Sequence, residues 1–237
     1  MASPFGNQQS MVGTQAESAR VAEFLQKVYG WMFVGLGITA VVAYFVASSP
    51  AIMQAIWGNR IVFWLLFIGE LGLVWYLSAR VSSIAGATAS GLFMLYSALN
   101  GVTLSIILLA YTGASIATAF MTTAGMFGAL ALYGTVTKRS LAGVGQFAFM
   151  GLMGVVIASI VGIFWQNDML QFVISIVGVI VFVGLTAWDA QRLKNMALQL
   201  EGGQVASYAV VGALALYLDF INMFLFLLRL FGGGRRN

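Results

Sequence analysis

Seven apolar stretches, each long enough to cross a lipid bilayer, constrain the fold of this chain more than any other feature. A helix needs about 20 consecutive apolar residues to cross a hydrocarbon core about 30 Å thick. Charged residues make up only 8% of the chain, against about 25% in a typical soluble domain. The sequence therefore predicts an all-α, polytopic integral membrane protein. The predicted transmembrane helices lie at 29–48, 61–79, 84–109, 115–136, 141–165, 169–191 and 206–231.

Short polar breaks separate the predicted helices, so each helix should run antiparallel to the one before it. Together they should form one transmembrane domain at 28–232, with the lipid bilayer as its surroundings. Residues 1–27 are polar, with a start that we expect to be disordered and a second half typical of a surface helix. Residues 233–237 form a short basic tail. The breaks are marked by Ser48-Ser49-Pro50, Asn59-Arg60, Arg80-Val81-Ser82-Ser83, Thr112-Gly113, Lys138-Arg139-Ser140, Gln166-Asn167-Asp168 and Glu201-Gly202-Gly203-Gln204.

The distribution of basic residues predicts a cytoplasmic N-terminus, because cytoplasmic loops of membrane proteins carry an excess of Lys and Arg. With that orientation, seven basic residues lie inside: Arg20, Lys27, Arg80, Lys138, Arg139, Arg192 and Lys194. Four lie outside if the last helix crosses completely: Arg60, Arg229, Arg235 and Arg236. The basic tail fits poorly outside, so a re-entrant last segment is the alternative. Short loops and the lack of a eukaryotic targeting signal favour a bacterial inner membrane.

The composition also excludes several functional classes. The chain has no Cys and no His, which rules out disulfides, histidine metal sites and catalytic pairs built on His. The net charge of +4 does not indicate a nucleic-acid partner, because the basic residues flank apolar runs. Every lysine lies at a helix border, so a retinal Schiff base within a span is excluded. We predict a protein that is not an enzyme and has no resident cofactor.

Two aspartates lie inside apolar runs, where a carboxylate is costly and indicates a functional site. Asp189 belongs to GVIVFVGLTAWDAQRLK (178–194) and Asp219 to VVGALALYLDFINMFLFLLRLF (210–231). The turn signal at 201–204 lies midway between them. If a helical hairpin reverses there, both aspartates lie at the same depth on neighbouring antiparallel helices. Two such carboxyl groups cannot both ionise cheaply, so we expect them to share a proton.

Other polar residues within the predicted helices are candidates for an ion path or for a partner that latches the aspartates. Tyr96, Asn100 and Thr103 form one face of the third predicted helix. Arg192 follows Asp189 by one turn and offers it a helix-end salt bridge, an alternative to pairing with Asp219. The candidate path or latch residues are Glu70, Arg80, Asn100, Arg192 and Asn222. Asp189 and Asp219 are also the candidate ligands for a transiently bound Ca²⁺, a cation that prefers oxygen.

Small residues at helical spacing predict close packing between helices, since they let backbones approach one another. Gly154, Ala158 and Gly162 repeat every fourth residue, and Gly125 and Gly128 lie one turn apart. This pattern is typical of a packed bundle and carries no functional information.

From about residue 22 onward, the chain resembles bacterial members of the Bax inhibitor-1 family, also called transmembrane Bax inhibitor motif proteins. The two aspartate motifs carry the resemblance most specifically: VIVFVGLTAWDAQRLKNM (179–196) and GALALYLDFINMFLFLLRLFG (212–232). Supporting strings are VYGWMFVGLGITA (28–40), FMLYSALNGVTLS (93–105) and TAGMFGALALYGTVTKRSL (123–141). The resemblance implies a seven-helix bundle whose last helix is central and is surrounded by the other six.

The resemblance also implies a function: a pH-sensitive calcium leak across the membrane, gated by a di-aspartyl pair that would here be Asp189 and Asp219. Calcium ions and protons would then be the species that the protein handles. Two alternatives stay open. A proton-coupled cation transporter would use the same carboxyl pair as a relay. A membrane regulator without transport activity would instead bind a membrane protease or quality-control complex.

Overall fold

The computed structural model describes residues 4–165, 167–200 and 204–232, and within these ranges the chain folds into eight helices. The helices are α1 (Pro4–Ala47), α2 (Pro50–Trp57), α3 (Arg60–Arg80), α4 (Gly86–Ala110), α5 (Gly113–Val136), α6 (Ala142–Phe164), α7 (Asp168–Gln199) and α8 (Val205–Phe231). All except α2 are long and apolar enough to cross a membrane. The prediction of an all-α protein with seven transmembrane helices is therefore confirmed.

The polar start of the chain is continuous with the first transmembrane helix. α1 runs for 44 residues from Pro4, with no break between the polar segment and the first span. The disorder expected at the start of the chain falls partly on residues 1–3, which lie outside the described ranges. The predicted basic tail at 233–237 lies wholly outside them. The 32-residue helix α7 also exceeds the length needed to cross, and its last turns include Arg192 and Lys194.

The connection between α1 and α3 contains a short helix that the sequence reading missed. Pro50 begins α2 at the position where a helix tolerates proline, and no residue of α2 is buried. Asn59 then caps α3 by accepting a hydrogen bond of 2.9 Å from the backbone N–H of Ile61. The ring of Trp57 contacts Phe63 at a centroid distance of 5.6 Å, which fixes α2 against the start of α3.

The last helix, α8, is the core of the bundle. In its most apolar window 72% of the residues are buried, compared with 11–39% in the other six transmembrane helices. It packs directly against α1, α3, α4, α5 and α7, while α6 packs against α7 on the periphery. The predicted central location of the last helix is confirmed.

Of the glycines that the spacing indicated, Gly162 does bring helices together, because it is buried and a Cβ there would lie 2.7 Å from Nε2 of Gln171 in α7. The other three do not. A Cβ at Gly125, Gly128 or Gly154 would meet nothing within 4 Å, and all three residues are exposed, so the prediction of close packing was wrong there. Spacing identifies small residues on one face of a helix but not whether that face meets another helix. A Cβ at Gly134 of α5, in contrast, would collide with the carbonyl of Ala187 in α7.

Candidate functional site

Asp189 and Asp219 meet between α7 and α8, with their carboxyl groups within reach of a side-chain hydrogen bond. Asp219 is 4% exposed, and the side chain of Asp189 is 14% exposed. Because an ionised carboxylate only accepts hydrogen bonds, a bond between the two groups requires that one of them hold a proton. The structure therefore joins the two aspartates that the sequence indicated separately.

Two close contacts between α7 and α8 position the aspartate pair. On one side of the pair, Gly212 of α8 lies against the side chain of Leu193. On the other side, Gly178 of α7 receives the ring of Phe226. Neither glycine could carry a Cβ without displacing its neighbour, so both contacts fix the spacing of the helices. The predicted turn falls between the end of α7 and the start of α8, and its residues 201–203 lie outside the described ranges.

Arg192 borders the aspartate pair but interacts with it only weakly. One guanidinium nitrogen lies 4.0 Å from the Asp189 carboxylate, and the arginine side chain is 58% exposed. The guanidinium group also stands over the ring of Trp188, 5.4 Å from its centroid. Exposed ion pairs contribute about 0–1 kcal/mol, so this contact does not compete strongly with the contact between the aspartates.

Arg80, the other candidate latch residue, does not reach the pair. It is the last residue of α3, its side chain is exposed, and it forms no salt bridge with any residue in the described ranges. The backbone carbonyl of Arg80 instead accepts hydrogen bonds from Ser83 and Ile84 in the following turn.

A cavity of about 270 Å³ gives access to the pair from one end of the bundle. It lies between the C-terminal end of α3, the second half of α7 and the first half of α8. Asp189 lines the cavity, whereas Asp219 does not. Asp189 is thus the member of the pair that faces the open space, and Asp219 lies behind it. The other lining residues are Ser78, Val81, Arg192, Leu193, Met196, Tyr208, Val211, Gly212, Leu214, Ala215 and Leu218.

Two buried oxygen atoms on α7 and α8 have unused hydrogen-bonding capacity. Within the described part of the chain, neither Oδ2 of Asp219 nor Oγ1 of Thr186 has a hydrogen-bond partner. Thr186 precedes Asp189 by about one turn and is fully buried. A buried polar atom without a partner costs about 1–3 kcal/mol, which favours binding of water, a proton or a cation at such an atom.

Glu70 and Asn100 belong to a second polar cluster, on a different side of α8. Glu70 accepts a hydrogen bond of 2.5 Å from Thr103 and interacts with Asn100. The hydroxyl group of Tyr217 donates to the side-chain oxygen of Asn100 at 3.1 Å and lies 2.7 Å from the hydroxyl oxygen of Thr39. The cluster thus joins α1, α3, α4 and α8. Sequence reasoning missed Thr39 and Tyr217, although Tyr217 stands two residues before Asp219 in an apolar run.

The remaining candidate, Asn222, is occupied within its own helix, because its amide donates to the carbonyl of Leu218 at 2.8 Å. Across residues 4–165, 167–200 and 204–232, no three acidic side chains are grouped so that they could hold a metal ion together. Glu70 therefore does not complete a cation shell with Asp189 and Asp219. Of the residues that the structure describes, the aspartate pair alone supplies carboxylate oxygens at this site.

The chain is similar to bacterial membrane proteins along most of its length. Residues 21–237 match the family model described as "Inhibitor of apoptosis-promoting Bax1". The inner membrane protein YbhL of Escherichia coli K12 is 49% identical over 220 residues, which cover 92% of this chain and 94% of YbhL. An uncharacterized protein of Borreliella burgdorferi is 45% identical over 217 residues, covering 91% of this chain and 93% of that protein. An uncharacterized protein of Deinococcus radiodurans is 40% identical over 224 residues, with coverage of 94% and 96%. Together with the seven-helix bundle around a central α8, these matches assign the chain to the Bax inhibitor-1 family.

Proposed function

We propose that the protein is a calcium-leak channel whose opening depends on the protonation of Asp189 and Asp219. The observation that carries the proposal is a carboxyl pair buried between α7 and α8 at the inner limit of a cavity of about 270 Å³. Ionisable groups at membrane depth are expensive to maintain and mark ion or proton pathways. Among the described residues the pair has no strong basic partner that would explain it as a structural salt bridge, since Arg192 is largely exposed.

The number of protons on the pair determines whether its two carboxyl groups attract or repel each other. With one shared proton, the two carboxyl groups attract each other and hold α7 against α8. Without that proton, two negative charges face each other at short distance in poorly hydrated surroundings and repel. A change in pH therefore changes the force between two helices, one of which is the core of the bundle. This is the element by which the protein senses pH.

Calcium passage is compatible with the same pair. Ca²⁺ takes six to eight oxygen ligands, and two carboxylates with nearby carbonyl and hydroxyl oxygens supply only part of that number. A conducting site has to bind its ion weakly enough to release it. The described residues contain no group of three acids that would hold the ion tightly. The pair is thus suited to brief contact with a passing ion.

A flux assay on reconstituted protein tests this function. Wild-type protein, D189N and D219N are placed in liposomes loaded with a calcium-sensitive dye, and flux is measured across a pH series. We expect flux that varies with pH in wild type and a flattened profile in both variants, because an amide does not titrate. D168N is the matched control, since Asp168 is an exposed acid at the start of α7, and its profile should follow wild type.

The same assay separates the alternatives. Flux driven by a proton gradient, in place of a passive leak, would identify a proton-coupled cation transporter. Flux absent at every pH would contradict the channel and favour a regulator that binds a membrane protease or quality-control complex. In that case D189N and D219N would leave co-purification of such a partner intact.

We also propose that the protein resides in a bacterial inner membrane with its N-terminus in the cytoplasm. The name of the E. coli relative, "Inner membrane protein YbhL", supports the location. The excess of Lys and Arg near one end of the bundle supports the orientation. With this orientation, the cavity beside Asp189 opens toward the cytoplasm, because α7 ends and α8 begins on that side.

A further inference from the structure

An apolar crevice runs along the outside of the bundle between α1 and α5. Its volume is about 660 Å³, and Phe220 of the central helix α8 contributes to its lining. A second cavity of about 300 Å³ continues it toward the other end of the bundle and shares Leu36, Ala40, Phe120 and Phe220 with it. Gly37 and Gly128 lie on opposite walls of the larger crevice, and a Cβ on either would meet nothing within 4 Å.

The crevice is at least as long as the hydrocarbon region of one leaflet. On α1 its lining extends from Leu25 to Ala40, a length of about 22 Å at 1.5 Å per residue. Half of a hydrocarbon core is about 15 Å. Tyr29 and Thr135 carry the polar groups of the lining, and both lie at the end where α5 finishes. The rest of the lining is apolar, so the ligand that fits is a hydrocarbon chain with a polar group at that end.

The polar end of the crevice is bordered by positive charge. Lys194 donates a hydrogen bond of 2.7 Å to the carbonyl of Thr135. Lys138 and Arg139 follow directly in the loop after α5, and the carbonyl of Arg139 is held by the Gln191 amide at 2.8 Å. Lys138, Arg139 and Lys194 form no salt bridge with a residue in the described ranges. An anionic group would be attracted to this end of the crevice.

We propose that this crevice is a binding site for an anionic phospholipid of the adjoining leaflet. One acyl chain lies along α1 and α5 against Phe220, and the phosphate group lies near Lys138, Arg139 and Lys194. The lipid fills a gap beside the central helix that no side chain of the described residues closes. This site is distinct from the aspartate pair, and its test does not depend on calcium flux.

Lipid retention measured by native mass spectrometry tests the proposal. The protein is reconstituted with equal amounts of phosphatidylglycerol and phosphatidylethanolamine with the same acyl chains, then transferred to mild detergent, and bound lipid is counted. We expect wild type to retain phosphatidylglycerol preferentially. G128L should reduce the retained lipid about tenfold, because the leucine side chain occupies the crevice. G154L is the matched control, since Gly154 is an equally exposed helical glycine on α6 with open space around it.

A second variant tests the positive charge of Lys138 and Arg139 at the end of the crevice. K138Q/R139Q should keep bound lipid but lose most of the preference for phosphatidylglycerol. If G128L proves unstable, G37L fills the same crevice from the opposite wall and replaces it. Equal lipid retention in G128L or G37L and in G154L would overturn the proposal. A dimer in wild type that the crevice variants abolish, without loss of lipid, would also overturn it and identify a second copy of the chain as the occupant.

Discussion

At the residue scale, polar side chains contact α8 on two different sides, the aspartate pair on one and the cluster around Tyr217 on the other. Asp219 faces α7 and Asp189, while Tyr217, two residues earlier, faces Asn100 of α4 and Thr39 of α1. In an α-helix, the side chains of residues i and i+2 point in nearly opposite directions around the axis. One apolar helix can therefore carry the aspartate pair on one face and a second hydrogen-bonded cluster on the other. Arg192 touches only the exposed edge of the pair.

The Tyr217 hydroxyl should contribute measurably to stability. In Y217F the ring and its edge contacts with Phe93 and Tyr96 remain, while the hydrogen bonds to Asn100 and Thr39 are lost. We expect the free energy of unfolding to fall by about 1 kcal/mol, a typical value for a hydrogen bond within a membrane protein. Thermal unfolding in detergent measures the change. Y96F is the control, because the Tyr96 hydroxyl forms no hydrogen bond with a described residue, and a loss as large in Y96F would argue against this role.

At the element scale, the position of α7 depends on its contacts with both α5 and α8. Gly134 lets the backbone of α5 approach Ala187, two residues from Asp189, and Gly212 does the same for α8 at Leu193. Polar contacts at the end of α7 add to this, since Gln191 bonds to the backbone of both Arg139 and Leu141 in the loop before α6. The aspartate pair therefore lies where three helices are held at a fixed spacing.

Adding a single methyl group to α5 should distinguish a packed glycine from an exposed one. In G134A the new Cβ would collide with the Ala187 carbonyl, so α5 and α7 must move apart. We expect a loss of about 1–3 kcal/mol in unfolding free energy, the usual cost of overpacking. In G125A the Cβ enters open space, and alanine in a helix should add about 0.5–1 kcal/mol. Thermal unfolding of the two variants in parallel measures the difference, and equal stabilities would refute the close approach.

At the scale of the whole molecule, seven crossings arranged around α8 determine which loops share a side of the membrane. The loop between α3 and α4 and the loop between α5 and α6 lie at the same end as the connection between α7 and α8. That end carries the cavity beside Asp189 and the basic border of the crevice. The charged features that we assign to proton sensing and lipid binding are thus on one side.

Because the chain contains no cysteine, its orientation can be read from single introduced thiols. S82C, in the loop after α3, should react with a membrane-impermeant maleimide only in inverted vesicles. S48C, in the turn after α1, should react only in intact spheroplasts. Both positions are exposed, so access and not burial decides the labelling. The reverse pattern would show that the N-terminus lies outside, and labelling of both from one side would contradict an odd number of crossings between them.

The sequence by itself determined the class of the protein, its seven transmembrane helices and the shared depth of Asp189 and Asp219. These properties follow from length, polarity and spacing along each helix, which are local and independent of neighbours. It missed α2, because a helix of only eight residues, none of them buried, has no long apolar run to reveal it.

Only the tertiary structure decided which faces of the helices meet. It directed Glu70 toward Thr103 and Asn100 instead of toward the aspartates, and it left Gly125, Gly128 and Gly154 facing outward. The physical reason is that lipid tails are about as apolar as leucine, so an apolar face carries no signal of whether it meets lipid or protein. The rotation of each helix about its axis is set by contacts between residues far apart in the chain, such as those of Gly134 with Ala187 and of Tyr217 with Asn100.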